Sequence, residues 1–192
     1  PAKAGPADGG HMPHEDGDHA TPDDRIAEAF AEHEAALHEE LLAAVKGMTP
    51  AHFEHLIVQL MLKMGYGLGD DAGRVTGGSG DGGIDGIIDE DKLGLDKIYL
   101  QAKRWTDASV GRQDVQAFVG ALSGHGASKG VFITASQFTR EAEAYATNIK
   151  GFTLSLVDGR RLAQLLAEHD LGVTPIHTFV MKRVDADVFG EG

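Results

Sequence analysis

Apolar residues recur along this chain with two different periods, and the switches between them mark out its elements. In "TPDDRIAEAFAEHEAALHEELLAAVKG", Ile26, Phe30, Leu37, Leu41 and Val45 fall on one helical face, expected to pack against the rest of the domain. Thr21 is placed to cap this helix. Pro22 suits its first position, and Asp23 and Asp24 complement the positive end of its dipole. "TPAHFEHLIVQLMLKMGYG" repeats the start signal with Thr49 and Pro50. Phe53, Leu56, Ile57, Leu60, Met61 and Met64 form its stripe, Glu54 stands at the border of that stripe, and Gly65 or Gly67 ends the helix. Three further helices are predicted in "VGRQDVQAFVGALSG", "TREAEAYATNIKG" and "GRRLAQLLAEHD", the last two capped by Thr139 and Asp158. Between the helices, "IDGII", "IYLQAK", "KGVFITAS" and "FTLSLVDG" have the length and apolar character of strands. The order is helix, helix, two or three antiparallel strands, then helix, strand, helix, strand, helix. It predicts an α/β fold, a central mixed sheet with helices on both faces.

Composition changes this picture at the ends. "PAKAGPADGGHMPHEDGDHA" is rich in Gly, Pro, Asp and His, so residues 1–20 are expected to be a flexible acidic linker. His11, His14 and His19 belong to that solvated tail rather than to a metal site. The folded domain is expected over residues 21–184, with a C-terminal tail at 185–192. The first residue is Pro1, and the expectation is a piece of a longer chain cut at a linker. There is no cysteine, which excludes disulfide and thiol chemistry and makes a cytoplasmic protein the expectation. No apolar run is long enough for a membrane-spanning helix.

A net charge of −13 argues at first against a nucleic-acid partner. Its distribution changes that reading. Residues 1–25 hold six acids against two bases, residues 26–47 five against one, and residues 185–192 three against none. The remaining stretch, 48–184, holds 16 acids against 14 bases, so it can present a basic face to phosphates.

The anomalous residues lie in "GDGGIDGIIDEDKLGLDKIYLQAKRW". Asp85, Gln101 and Lys103 interrupt strand-like runs, although charges are depleted from strands and costly to bury unpaired. "GSGDGG", Gly78 to Gly83, matches a dinucleotide fingerprint, but a strand follows it where that motif needs a helix, so a tight turn is expected. Side chains alternate along a strand, so Gln101 and Lys103 share a face. A short connection then pairs the two strands antiparallel and sets Asp85 beside them. A carboxylate, an amide oxygen and the Ala102 carbonyl suit a hard divalent cation. An ammonium beside them can hold or polarise a water for attack on a phosphate. A solvent-facing hairpin with an Asp–Lys pair fits the same spacing, as exposed helix residues fit His52 and His55.

The ordered set of Glu54 on a helix, "SGDGGIDGII", "YLQAKRW", "GVFITAS-FT" and "LVDGRRLA" resembles the catalytic domain of Mrr-type restriction endonucleases, in the PD-(D/E)xK nuclease superfamily. The resemblance covers roughly residues 22–175. It implies the restriction-endonuclease-like fold and Mg²⁺-dependent (or Mn²⁺-dependent) hydrolysis of double-stranded, methylated foreign DNA. It also implies roles: Asp85 as metal-binding acid, Gln101 in place of the second acid, Lys103 as catalytic lysine and Glu54 as an added helical glutamate. Gln101 removes a negative charge that many superfamily members have, so one metal rather than two is expected. A homodimer or larger assembly is expected, with an N-terminal DNA-recognition domain on a segment this chain lacks. Arg104, Trp105, Arg112, Lys129 and Arg140 are candidate DNA contacts. A junction-resolvase-like nuclease and a non-catalytic DNA-binding module are the alternatives.

Overall fold

The computed structural model describes residues 20–67, 72–76, 83–105 and 108–190. The expected linker, apart from Ala20, and the expected tight turn at Gly78–Gly83, apart from Gly83, lie outside them. The chain divides into two compact units, residues 1–36 and 37–192.

Helix α1 (Pro22–Gly47) begins in the first unit. Thr21 and Asp24 cap it reciprocally: the Asp24 carboxylate accepts the Thr21 N–H at 2.9 Å, and Thr21 Oγ1 accepts the Asp24 N–H at 3.2 Å. The expected apolar face divides. Ile26 and Phe30 are 45% and 54% exposed, whereas Leu41 and Val45 are buried. The described part of the first unit is one helix, and a single helix has no second layer in which to bury its stripe.

The second unit follows the predicted order. After α1 come α2 (Pro50–Lys63), β1 (Gly73–Val75), β2 (Gly86–Asp89), β3 (Lys97–Lys103), α3 (Arg112–Gly124), β4 (Lys129–Thr134), α4 (Arg140–Asn148), β5 (Thr153–Val157) and α5 (Gly159–Glu168). Thr49, Thr139 and Asp158 cap α2, α4 and α5 by accepting backbone N–H groups of the first turn. Helix α2 ends in a left-handed Gly65 (φ 89°), with the Gly65 and Tyr66 N–H groups returning to the Leu62 and Met61 carbonyls.

The strands lie in the order β1-β2-β3-β4-β5. The first three are antiparallel, and β3, β4 and β5 run parallel. Alternation along the strands splits the core in two. Ile98, Leu100, Ile133 and Val157 meet Leu41, Val45, α2 and α5 on one face. Ile87, Tyr99 and Phe132, with Leu154 and Leu156, meet α3 and α4 on the other. Glycine permits the closest approach: a Cβ on Gly130 would lie 2.7 Å from Phe118 Cζ and 2.9 Å from Leu122 Cδ1. Beyond α5 the chain runs without helix or strand to a short 3-10 helix (Ala186–Phe189), and Ile176, Phe179, Val180 and Val184 are exposed.

Candidate active site

The parallel strands end at one edge of the sheet, and there the chain brings its anomalous polar residues together. The antiparallel register pairs Gly86 with Leu100, and the Asp85 N–H donates to the Leu100 carbonyl at 2.8 Å. Asp85 therefore stands at the point where β2 begins, level with Gln101. Its Oδ2 accepts the Ala102 N–H at 2.7 Å. That N–H lies between the two residues whose side chains complete the group.

Gln101 is 7% exposed, and its Oε1 is buried with no hydrogen-bond partner among the described residues. An orphaned buried acceptor is rare and costs about 1–3 kcal/mol. Glycine makes the space for this side chain. Gly83 has φ 92°, and a Cβ there would lie 2.6 Å from Gln101 Nε2. "GSGDGG" thus ends in a residue chosen for a close approach, and a strand rather than a helix follows it.

Burial pushes the Asp85 carboxyl up to about 6, and the Glu54 carboxylate on α2 adds to the rise. The bond from the Ala102 N–H and the charge of Lys103 oppose it. Glu54 and Lys103 thus act electrostatically on Asp85 with opposite sign. Among the described residues no three His, Asp or Glu side chains gather as a metal site. The donors here are two carboxylates, one amide oxygen and a backbone carbonyl, all hard oxygens, and they fit Mg²⁺ or Mn²⁺ rather than a soft metal. A cation between Asp85 and Gln101 would satisfy the orphaned Oε1 and relieve the repulsion from Glu54.

Lys103 shares its face with Gln101 and Tyr99, towards α3. Its Nζ donates to Asp114 Oδ1 at 2.7 Å and lies 4.5 Å from the centroid of the Trp105 ring. Asp114 was not among the candidates from the sequence. It lies in the first turn of α3, and nothing local in the sequence shows that a lysine eleven residues earlier will meet it.

The remaining candidates separate by place. Arg112 and Arg140 are exposed at the starts of α3 and α4. The loops before these helices are joined by the bridge between Val110 and Phe138, which puts both arginines at the edge that holds Lys103. Arg112 also lies 5.2 Å from the Tyr145 ring centroid. Arg104 turns inward and donates to the Lys46 carbonyl at the end of α1. Lys129 begins β4 at the opposite end of the sheet, held by Glu90 at 2.8 Å and Asp96 at 3.3 Å. Beside the site runs a cleft of about 660 Å³ whose polar lining is Lys46, Ser109, Ser136, Gln137, Asp158 and Arg160. Lys46 and Arg160 were also not among the sequence candidates. They come from helices far apart in the chain and carry no local pattern.

Residues 45–166 match the family Mrr_cat, described as restriction endonuclease. Among curated proteins, the chain is 43% identical over 176 residues to the type IV methyl-directed restriction enzyme EcoKMrr of Escherichia coli (strain K12). The alignment covers 92% of this chain and 57% of that protein, so the chain spans little more than half the length of this relative. The DNA modification-dependent restriction endonuclease AspBHI has a similar fold, with a TM-score of 0.57 at 19% identity over 71% of this chain and 36% of that one. The MspJI restriction endonuclease, solved in complex with a 27-mer oligonucleotide, is similar with a TM-score of 0.50 at 25% identity over 69% of this chain and 31% of that one.

Proposed function

Because the chain belongs to the Mrr-type restriction endonuclease family, we propose that its second unit is a divalent-cation-dependent endodeoxyribonuclease domain that cuts methylated foreign DNA. The observation that carries the metal reading is the buried, unpartnered Oε1 of Gln101 beside the Asp85 carboxylate. Asp85, Gln101 Oε1 and the Ala102 carbonyl would hold the cation, with Glu54 contributing charge. Once bound, Mg²⁺ or Mn²⁺ supplies a water of lowered pKa and stabilises charge on the scissile phosphate.

The protein's own groups do the rest. Ala102 N–H fixes the Asp85 carboxylate in one orientation. Gly83 has no Cβ, which leaves room for the Gln101 amide beside it. Lys103 brings three N–H donors, of which one goes to Asp114 and two remain for a phosphate oxygen or the attacking water. Water adds to phosphorus, one P–O bond of the backbone breaks, and the departing oxygen takes a proton. The DNA strand follows the cleft lined by Lys46 and Arg160, with Arg112 and Arg140 contributing charge from the starts of α3 and α4. One such site cuts one strand, so a double-strand break requires two copies or two successive nicks.

The test is incubation of methylated and unmethylated supercoiled plasmid with the protein and Mg²⁺, beside Lys103→Ala and a chelator control. Metal-dependent loss of supercoiled methylated plasmid, absent in the variant, is expected. Equal conversion by Lys103→Ala overturns the reading.

A further inference from the structure

The pairing of Lys103 with Asp114 has a consequence for Asp85. Two carboxylates act on the lysine: Asp114 in α3, which pairs with it, and Asp85 at the start of β2, which feels its charge. In the structure Asp114 holds it, at 2.7 Å, with both side chains about one quarter exposed (27% and 24%). The Asp85 carboxylate has the Ala102 N–H as its hydrogen-bond partner and makes no ion pair among the described residues. Asp114 is itself fixed. Its second oxygen accepts the Gly111 N–H at 3.1 Å, and α3 is locked on the sheet where Phe118 and Leu122 meet Gly130. The Trp105 ring, 4.5 Å from Nζ, closes another side of the ammonium's space.

A lysine has a flexible four-carbon stem and goes to the strongest available anion. At this range a half-buried, charge-assisted hydrogen bond outweighs a more distant carboxylate. We infer that Asp114 is a positioning residue that holds Lys103 away from Asp85 and so keeps the Asp85 carboxylate open for the catalytic cation. This rests on the nuclease reading and adds a metal-affinity role to a residue outside the proposed metal ligands. Without the Asp114 charge, the ammonium turns to Asp85 and competes with the cation for the same oxygens.

The test is a binding cycle by calorimetry with Mn²⁺ alone, in wild type, Asp114→Asn, Lys103→Met and the double variant. Asparagine keeps an acceptor for the Gly111 N–H, so the cap of α3 survives; circular dichroism and Tm check this. The expected result is weaker Mn²⁺ binding in Asp114→Asn, on the order of tenfold, the size seen when a group that orients metal ligands is removed. In the Lys103→Met background the same substitution should change nothing, because the competing ammonium is gone. Equal weakening in both backgrounds marks Asp114 as a helix cap and overturns the inference, as does unchanged affinity in Asp114→Asn. Plasmid cleavage by the wild type runs alongside. If wild type binds Mn²⁺ and cuts while Asp114→Asn binds equally well, only this inference falls. If wild type neither binds nor cuts, the nuclease reading falls and takes the inference with it.

Discussion

Asp85 is the residue on which chemistry and stability oppose each other. Its carboxyl is raised to about 6, chiefly by burial. Between its unfolded value of about 3.9 and about 6, the folded chain binds more protons than the unfolded one. Without metal, stability therefore falls as pH rises through that window and stays reduced above it. Asp85→Asn removes the penalty. In chelator at pH 8 it should raise stability by roughly 1 kcal/mol after discounting for partial exposure, or about 2–4 °C in Tm, while abolishing cleavage. A thermal melt beside a plasmid assay checks both halves; a lower Tm would contradict the electrostatic account of this carboxyl. Metal binding needs the ionised form, so Mg²⁺ affinity should fall about tenfold per pH unit below about 6. Gly83 tests the proposed role of Gln101 as a ligand. Gly83→Ala meets Gln101 at 2.6 Å from a strained φ of 92°. It should weaken Mn²⁺ binding at least about tenfold with the far-UV spectrum unchanged.

At the scale of elements, the two faces of the sheet depend on small residues facing large ones. Gly130→Ala drives a methyl into the buried Phe118 ring and the Leu122 side chain. It should destabilise the protein by about 1–3 kcal/mol, read by urea denaturation. These elements were largely legible in the sequence. Thr49–Pro50, Thr139 and Asp158 announce their helices locally, and the apolar stripe of α3 names the residues it buries. The antiparallel pair was legible too, because a short connection leaves it few alternatives. What the sequence did not disclose depends on long-range placement. The stripe of α1 runs unbroken through Ile26 and Phe30, yet burial begins only further along the helix. Lys129 reads like any basic strand residue, but parallel pairing carries it to the end of the sheet remote from Lys103. Asp114 meets Lys103 only because the chain after β3 folds α3 back over that strand's face.

For the molecule as a whole, charge is the feature that composition conceals. A chain of net charge −13 still offers Lys46, Arg112, Arg140 and Arg160 around one edge of its sheet. The double variant Lys46→Ala/Arg160→Ala should bind duplex DNA more weakly, with the slope of log K against log salt reduced by about 2. An unchanged slope would place the DNA elsewhere. No described helix is long and apolar enough to cross a membrane. Whether Asp85 and Gln101 together hold one cation is decided by anomalous diffraction from a Mn²⁺-soaked crystal. A single peak within coordination distance of an Asp85 carboxylate oxygen and Gln101 Oε1 is the expected result. A crystal in which Mn²⁺ binds away from both residues, or in which Gln101 Oε1 turns to a protein donor instead, would contradict it.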